Sequence, residues 1–265
     1  MLIISDVHAA FGALGRVVAS GEPLLVLGDL VNFVDYRTGE GIAKDLFGGS
    51  FVTSIRRLRA ANDFDGSRRL WRAEAAARQI DIRQVVRRHI EKQYEQCERA
   101  LRGGEVYVIH GNVDTPSLLT SHLPDGASYV QGRVLEIEGW TIGFAGGGAE
   151  TPLRTPGEIT DDEMEAVLAA MGPVDVLCTH VPPAISPLAY DTVAGHEQRS
   201  SRPVLGYLER HQPRYHFFGD VHQPRAQRWD IGRTNCHNVG YFRATGRGYR
   251  LMPTVRTASS EPPLR

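Results

Sequence analysis

The 265-residue sequence has few cysteines and no long apolar run. Its three cysteines, Cys97, Cys178 and Cys236, are far apart and form no C-x-x-C pair, which argues against a disulfide framework and a zinc ribbon. Reduced thiols of this kind are typical of a cytosolic protein. No stretch reaches the roughly 18 apolar residues of a membrane span, and a strand pattern that starts at Met1 leaves no room for a signal peptide. We therefore expect a soluble, unexported, cytoplasmic protein without a membrane partner.

The chain also lacks an excess of charge of either sign. Lys and Arg number 30 and Asp and Glu number 31, which gives a formal net charge of −1. Because this balance creates no global field, any attraction to nucleic acid has to be local. A phosphate-binding P-loop is missing too, since Gly146-Gly147-Gly148 is not followed by Gly-Lys-Ser or Gly-Lys-Thr. We interpret this glycine run as a flexible loop.

Five short apolar runs each end in polar residues that can bind a metal. Open α/β sheets place their chemistry at the carboxyl ends of buried strands, so repetition of this pattern predicts one shared site. A single instance is more typical of a turn residue or of a buried histidine, but five instances together favour the site. The runs and their endings are 1–4 with Asp6 and His8, 24–27 with Asp29, 106–109 with His110 and Asn112, 174–178 with His180, and 215–218 with Asp220 and His222.

A basic segment of different character lies between Asp29 and Asn112. From Arg56 to Arg102 it holds thirteen Arg or Lys against seven Asp or Glu. We consider two interpretations, a solvated helix packed on the domain edge and a basic cap over an anionic substrate. Apolar residues recur every three or four positions, which predicts one face of an amphipathic helix that stops at Gly103-Gly104: Ile82, Val86, Ile90, Tyr94, Cys97 and Leu101.

The remaining patterns complete a single-domain prediction. A capping box at Thr160-Asp161-Asp162-Glu163 starts a helix that stops at Gly172-Pro173, and Gly139 marks the turn of a hairpin. We expect one domain over 1–256 with a basic helical insertion at about 36–104, and a disordered tail over 257–265. Further helices are predicted at 11–19 and 203–211, and further strands at 226–230 and 235–239.

The ordered set of strand-end motifs resembles the calcineurin-like metallophosphoesterase superfamily. The motifs are Asp-x-His at Asp6, Gly-Asp at Asp29, Gly-Asn-x-Asp at Asn112, a histidine at His180 and Gly-x-x-His at His222, so the resemblance covers almost the whole chain. It implies an α/β protein, a four-layer α/β/β/α sandwich with two metal ions at the sheet ends. It also implies that Asp6, His8 and His222 bind the first ion, that Asp29 bridges both, and that Asn112 and His180 bind the second. Catalysis would then depend above all on Asp29, Asn112 and His180.

The residue types suit metal chemistry independently of the family. Imidazole together with carboxylate suits Mn²⁺, Fe, Zn²⁺ or Co²⁺, and a soft thiolate site is excluded because no cysteine is among the candidates. Two ions roughly 3.5–4 Å apart can hold a bridging hydroxide and clamp the oxygens of a phosphate. We expect two divalent ions, Mn or Fe in preference to Zn, Co or Ni. The expected substrate is a small-molecule or nucleotide phosphate ester.

Two positions depart from the family pattern. The family usually has His directly after the Asn, where it stabilises the transition state or protonates the leaving group, and Val113 can do neither. Similar proteins that lack this His often act on phosphodiesters, so we predict a phosphodiesterase rather than a monoesterase. Asp220 stands where the family usually has His. We expect Asp220 to bind the second metal and to favour Mn or Fe. In the alternative interpretation, Asp220 is a turn residue beside an emptied second metal site. Asp114 is interpreted as a supporting or structural residue.

Two further histidines are candidates for substrate contact. His196 lies on the loop between two ligand motifs, and His110 either reaches the site or packs beneath it. Two other functions are considered for the whole chain. One is a metal-poor scaffold of the same fold that acts through protein contacts. The other is a nuclease that uses the Arg-rich helix, whose binding would weaken steeply with salt, although nucleic acid is not the favoured partner. The sequence does not indicate an oligomeric state.

Overall fold

Two β-sheets pack face to face, and helices cover the outer side of each sheet in the computed structural model, which describes residues 1–35 and 37–254. The predicted four-layer α/β/β/α sandwich is therefore confirmed. The predicted disordered tail, 257–265, lies outside the described residues. The division into one domain and an insertion stays a prediction.

The first sheet brings the carboxyl ends of three ligand-bearing strands side by side. β1, β2, β3 and β4 run parallel, and β15 pairs antiparallel with β1. The register sets Ile4 beside Val26 and Leu27 beside Ile109, so the loops that follow these strands start at one edge. The strands are β1 (Leu2–Ile4), β2 (Leu24–Leu27), β3 (Val106–Ile109), β4 (Ala127–Tyr129) and β15 (Tyr249–Arg250).

The second sheet has six strands, which are numbered by their order along the chain. In space they lie in the order β13-β14-β12-β9-β6-β5. Its four inner strands are parallel, and its two edge strands are antiparallel to their neighbours. The strands are β5 (Val134–Ile137), β6 (Trp140–Ala145), β9 (Val176–Thr179), β12 (Tyr215–Phe218), β13 (Arg228–Ile231) and β14 (Thr234–Asn238). Two short pairs complete the strands, β7 (Gly148–Ala149) with β8 (Glu158–Ile159) and β10 (Tyr190–Asp191) with β11 (His196–Glu197).

Ten helices occur in the described ranges. The capping box at the start of α7 is present as predicted, and no helix in this part of the chain is both long and apolar enough to cross a bilayer. The helices are α1 (Phe11–Val18), α2 (Ile42–Phe47), α3 (Gly49–Ala60), α4 (Phe64–Arg78), α5 (Ile82–Leu101), α6 (Pro116–Ser121), α7 (Asp161–Met171), α8 (Ser186–Ala189), α9 (Arg202–His211) and α10 (Phe242–Thr245).

Element boundaries lie within about two residues of the predicted ones. β9 starts at 176 instead of 174 and β13 at 228 instead of 226, because ladder pairing starts only at those residues. The predicted hairpin is present between β5 and β6. Its two turn residues, Glu138 and Gly139, have φ of 48° and 83°, the left-handed pair that a two-residue turn needs.

Three apolar layers fill the spaces between the sheets and helices. The middle layer joins the two sheets, and each side chain buried there stabilises the fold by about 1.5–3 kcal/mol relative to an exposed one. Its fully buried members include Ile3, Leu25, Ile109, Phe144 and Phe217. Because both sheets are fixed by this layer, the loops at their shared edge are held against each other.

The basic segment folds into four helices, α2 to α5. α5 buries the predicted face, including Ile90, Tyr94 and Leu101, against α1 and the first sheet. Arginines on its outer side pair with glutamates four residues away, as in Arg87 with Glu91. This arrangement fits the interpretation of a solvated helix packed on the fold. A separate small apolar cluster, centred on the ring of Trp71, joins α2, α3 and α4.

The glycine run 146–148 is not the flexible loop that we predicted. All three glycines are buried, and Gly148 is part of β7. A Cβ on Gly148 would overlap the Cβ of Asn112, and one on Gly146 would press against the His110 carbonyl. The second sheet approaches the Asn112 loop so closely here that there is no room for side chains, and only glycine fits.

Candidate metal centre

Seven side chains from five loops meet where the two sheets share an edge. They are the seven predicted metal ligands, and the structure brings all of them together. Asp6 and His8 follow β1, Asp29 follows β2, Asn112 follows β3, His180 follows β9, and Asp220 and His222 follow β12.

Asp29 lies at the middle of this cluster. Its Oδ2 is 3.5 Å from Nε2 of His8, and its Oδ1 is 3.5 Å from Nε2 of His180. Each oxygen of one carboxylate thus faces a different imidazole. A carboxylate placed in this way would be able to contact two ions at once.

Asp6, His8 and His222 form the first half of the cluster. Their candidate ligand atoms all lie within 4.8 Å of one another. Nε2 of His222 is 3.6 Å from Oδ1 of Asp6, and the Nε2 atoms of the two histidines are 3.3 Å apart. Two imidazole nitrogens and one carboxylate oxygen can therefore face a single ion.

Asn112, His180 and Asp220 form the second half around the other oxygen of Asp29. Nε2 of His180 lies 3.1 Å from Oδ1 of Asn112 and 3.7 Å from Oδ1 of Asp220. Of these three side chains, His180 is fully buried, whereas Asp220 keeps 20% of its side chain exposed. The second half is thus richer in oxygen than the first, and each half has a partly exposed member, since His222 keeps 28% of its side chain exposed.

The Asn112 amide tests whether a cation fits this arrangement. Its Oδ1 faces only acceptors, and turning the amide over would instead let nitrogen donate to both Asp29 oxygens, at 3.2 and 3.0 Å. With Oδ1 inward the amide offers an acceptor that a cation can bind, whereas with nitrogen inward it satisfies the Asp29 carboxylate by hydrogen bonds instead. The donor set of carboxylates, imidazoles and one amide suits a divalent ion of this kind.

Backbone carbonyls fix the tautomers of two imidazoles. Nδ1 of His8 donates to the carbonyl of Val31 (3.2 Å), and Nδ1 of His180 donates to the carbonyl of Leu27 (2.7 Å). Since a carbonyl can only accept, Nδ1 carries a proton in both rings. In the neutral form of each ring the lone pair of Nε2 therefore points into the cluster, as metal binding requires.

Burial and charge shift the acid–base properties of the cluster in opposite directions. Burial, with repulsion from His222, lowers the pKa of His8 to about 3, so its imidazole is neutral. Burial also lowers the pKa of His180, but the carboxylates of Asp29 and Asp220 outweigh it and raise this pKa to about 9. Burial raises the pKa of Asp29. The cluster therefore retains protons at neutral pH, and these leave when a cation binds.

Backbone strain is concentrated in these loops. Four of the predicted ligands have positive φ: Asp6 (58°), His8 (38°), Asp29 (54°) and Asp220 (65°). Such conformations cost on the order of 1 kcal/mol each and persist where the surroundings enforce them. Here the amide of His8 donates to the carbonyl of Asp29 (2.8 Å), and the amide of Asp220 donates to the Asp6 carboxylate (3.1 Å).

Asp114 supports the loops rather than joining the cluster. Its carboxylate accepts hydrogen bonds from the backbone amides of Asp29 (2.8 Å) and Gly111 (2.9 Å), and from the hydroxyl of Tyr94 (3.1 Å). The supporting or structural role predicted for Asp114 fits these contacts. Tyr94 belongs to α5, and its place in the helical repeat indicated only an apolar face.

A second support lies behind His222, and the sequence patterns did not predict it. The ring of Tyr241 stacks on the ring of His222 at 3.9 Å between centroids and 3° between planes. The hydroxyl of Tyr241 donates to Asp35 (3.2 Å), and Arg243 bonds both Asp35 (2.9 Å) and the carbonyl of His8. The available signal was position, since Tyr241 follows β14, the parallel neighbour of β12.

Three other predicted residues lie around the cluster. The amide of Val113 donates to Oδ1 of Asp29 (3.1 Å), while its side chain packs against the outer apolar layer of the first sheet. His110 is buried, and its Nδ1 is hydrogen-bonded to the hydroxyl of Tyr129 (2.7 Å). Burial, with repulsion from His180, lowers the pKa of His110 to about 4. His196 is exposed, and none of its contacts in the described ranges is with the cluster. A substrate role for either histidine stays a prediction.

Solved structures share the fold at low sequence identity. One crystal structure covers 91% of this chain and 90% of its own, with a TM-score of 0.56 and 16% identity. That of TT1561 from Thermus thermophilus covers 91% and 89%, with a TM-score of 0.52 and 12% identity. At these identities the likeness concerns the fold alone.

The sequence comparisons identify a family for this chain but no individual relative among the curated proteins. No curated protein matches the sequence. The model of the calcineurin-like phosphoesterase family matches residues 1–224, a range that holds all seven clustered side chains. The match spans most of the chain, and with it the resemblance seen in the sequence is confirmed: the protein belongs to the calcineurin-like phosphoesterase family of metal-dependent phosphoesterases.

Proposed function

We propose that this protein is a dinuclear metal-dependent phosphodiesterase. The observation that carries the proposal is the placement of Asp29, whose two oxygens each lie 3.5 Å from a different imidazole. Asp6, His8 and His222 would hold one ion, Asn112, His180 and Asp220 would hold the other, and Asp29 would touch both. Two such cations supply Lewis acidity and ionise water at neutral pH.

The charge of the ligand set supports a monoanionic substrate. Asp6, Asp29 and Asp220 together contribute about three negative charges against four positive charges of two dications, which leaves about +1. A phosphodiester carries one negative charge near neutral pH, whereas a phosphomonoester carries nearly two. The second charge of a monoester would add to the negative charge of the ligand carboxylates, among them the partly exposed Asp220, and would be repelled by them.

The surroundings of Asn112 support the same preference. Val113 cannot donate a proton, and the imidazole of His110, neutral and bonded to Tyr129, cannot take over that role from its buried position. The chain therefore presents no side chain on this loop that would protonate an alkoxide leaving group. A substrate with a more acidic leaving group is favoured.

The donor set supports Mn²⁺ or Fe over Zn²⁺. Carboxylate and amide oxygens make up more than half of the seven donors, and hard oxygen donors suit Mn²⁺ better than Zn²⁺. We also propose a reducing compartment such as the cytoplasm, because the three cysteines are free and buried.

The rim beside His222 is the proposed place for the rest of the substrate. His196 is on β11, and the β10–β11 hairpin is tied to the loop of His222 because Asp191 accepts from the amide of Gln223 (3.2 Å). His196 is exposed on this hairpin, where a polar part of a nucleotide or other small ester would be accessible to it. Its imidazole can donate to or accept from such a group.

Metal analysis and two chromogenic esters test the proposal. Purified protein is expected to retain about two equivalents of transition metal, and hydrolysis of bis-p-nitrophenyl phosphate with Mn²⁺ is expected to exceed that of p-nitrophenyl phosphate. Less than one equivalent after loading would favour a scaffold that acts through protein contacts. Faster hydrolysis of the monoester would refute the diester preference while leaving the dinuclear site intact.

A further inference from the structure

Two neighbouring cavities open at the end of the second sheet opposite the metal centre. They have volumes of about 570 and 300 Å³ and share Arg214 and Arg233 in their walls. Arg214 comes directly before β12, and the loop that follows β12 carries Asp220 and His222. At about 3.3 Å per strand residue, the cavities and the metal centre are roughly 15 Å apart.

The smaller cavity, which we name the basic cavity, is lined by side chains of one charge sign. Three arginines form part of its wall, and no carboxylate does among the described residues. Its other members are polar or aromatic. They include Asn235, His237 and Tyr249, of which the last two have ring centroids 4.8 Å apart.

The guanidinium groups of the basic cavity are weakly neutralised. The guanidinium of Arg214 lies over the rings of Trp140 (5.3 Å) and Tyr215 (5.5 Å), and contact through its face does not use the N–H groups in its own plane. Nε of Arg233 donates to a backbone carbonyl, that of Gln212 (3.1 Å).

Within the described residues, Arg228 makes the one ion pair found among the three arginines. Asp175 lines the larger cavity beside Arg214 and Arg233, and its carboxylate accepts from the amide of Thr141 (3.0 Å). The ion pair of Arg228 with Asp230 spans 4.0 Å, both side chains are more than 60% exposed, and Asp230 already accepts from the amide of Asn235 (2.7 Å). An exposed pair of that length contributes little. The basic cavity thus has a net charge of about +2 to +3 in a concave surface, where field lines are focused.

The basic face of α5 shows the opposite arrangement, in which arginines are neutralised by neighbouring glutamates. There Arg87 and Arg102 each pair with a glutamate four residues away, at 2.8 and 2.7 Å. Like charges gathered without such partners repel one another, and an anion that enters between them relieves this repulsion.

We propose that the basic cavity binds a small phosphorylated anion with two or more negative charges. Planar guanidinium forks match the oxygens of phosphate in a bidentate way, and three of them suit more than one charge. The volume of about 300 Å³ accommodates a ligand of mononucleotide size, and the rings of Tyr215, His237 and Tyr249 offer a wall for a planar group. The site is separate from the metal centre and does not depend on the proposed function.

Calorimetric titration of the metal-loaded, full-length protein with pyrophosphate and with AMP tests this site. We expect two classes of binding, one at the metal centre and one at the basic cavity. Asp29→Asn should remove the first class only. Arg214→Gln and Arg233→Gln should each weaken the second class about tenfold, the loss of one charge-assisted contact.

Matched controls keep the result interpretable. Arg87→Gln, an exposed arginine of α5, should change neither class. Arg214→Lys keeps the charge and should retain part of the affinity, which guards against misfolding of the Gln variant. Binding of both probes would show that phosphate groups suffice, and binding of AMP alone would show that the aromatic wall contributes.

Two results would overturn the inference. One is the absence of any binding of either probe beyond the metal centre. The other is a second class that Arg214→Gln and Arg233→Gln leave unchanged. An oligonucleotide that binds through these arginines, while pyrophosphate and AMP do not, would assign the surface to nucleic acid and would also refute the small-ligand site.

Discussion

The two halves of the metal cluster differ in their donors and in their support. The first half has two imidazoles and one carboxylate, and Tyr241 is stacked on its outer histidine. The second half has one imidazole, one amide and the partly exposed Asp220. Nitrogen-rich sites with a supported histidine hold borderline ions tightly, whereas oxygen-rich sites hold harder ions more loosely. We therefore expect one ion to be retained better than the other.

Removing the shared ligand should have the largest effect. Asp29→Asn replaces a charged, two-sided ligand by a neutral amide with one oxygen, so neither half keeps its full set. We expect loss of turnover by about 10³-fold or more, with both ions bound more weakly. Activity with Mn²⁺ and metal content after dialysis measure this change. Asp125→Asn, on an exposed loop, is the matched control and should behave as wild type. Full activity of Asp29→Asn would rule out the bridging role.

Substitutions in one half should release one ion. Asp220→Asn is expected to weaken the binding of one Mn²⁺ by about 10–100-fold, because a charged oxygen ligand of the second half is lost. His222→Gln is expected to weaken the binding of the other. Electron paramagnetic resonance during Mn²⁺ titration counts the ions. At an intermediate concentration each single variant should retain one ion and the double variant none. If the double variant retains one ion, the two residues serve the same half.

The stacking residue should affect the first half alone. Tyr241→Leu removes the ring that holds the imidazole of His222 and should weaken one ion about tenfold, the lower end of the range for groups that orient a ligand. Tyr241→Phe keeps the ring and should stay close to wild type in the same titration. Equal losses in both variants would mean that the hydroxyl bond to Asp35, and not the stack, provides the support.

Removing the ion pair between Asp35 and Arg243, which lies behind Tyr241, should have the smallest effect. Hydrogen bonds from Thr38, Arg37 and Arg243 outweigh burial and hold the pKa of Asp35 below its ordinary value of 3.8. Ionised Asp35 therefore stabilises the folded state above about pH 4, and this contribution is lost as pH falls further. Asp35→Asn should lower the free energy of unfolding by about 1 kcal/mol at pH 7 and by less at pH 3. Urea denaturation at both values measures it, and an equal difference at both would exclude the ionised form as the cause.

The candidate metal ligands could be predicted from the sequence because each of them closely follows its own apolar run. The identity of the residues after 1–4, 24–27 and 106–109 could be read without any tertiary contact, since parallel strands bring their ends to one edge. Helix α5 was predictable for a similar reason, because its buried positions repeat every three or four residues.

Contacts between distant segments could not be predicted in this way. The ring of Tyr241 meets His222 only because β14 pairs with β12. Asp35, which accepts from the hydroxyl of Tyr241, lies 206 residues earlier in the chain. The glycine run was misinterpreted because composition does not reveal which backbone approaches it. The basic cavity was likewise invisible, since its arginines come from three separate loops and strands.

The hydroxyl of Tyr94 makes the long helical region a part of the framework that supports the candidate metal centre. This phenol donates to Asp114, which in turn holds the backbone amides at Asp29 and Gly111. A shortened chain without residues 36–104 would leave the Asp114 carboxylate buried with one donor fewer, next to the ligand loops. The helical region is therefore more than an accessory, because its loss would also remove a hydrogen-bond donor to the carboxylate that holds the ligand loops.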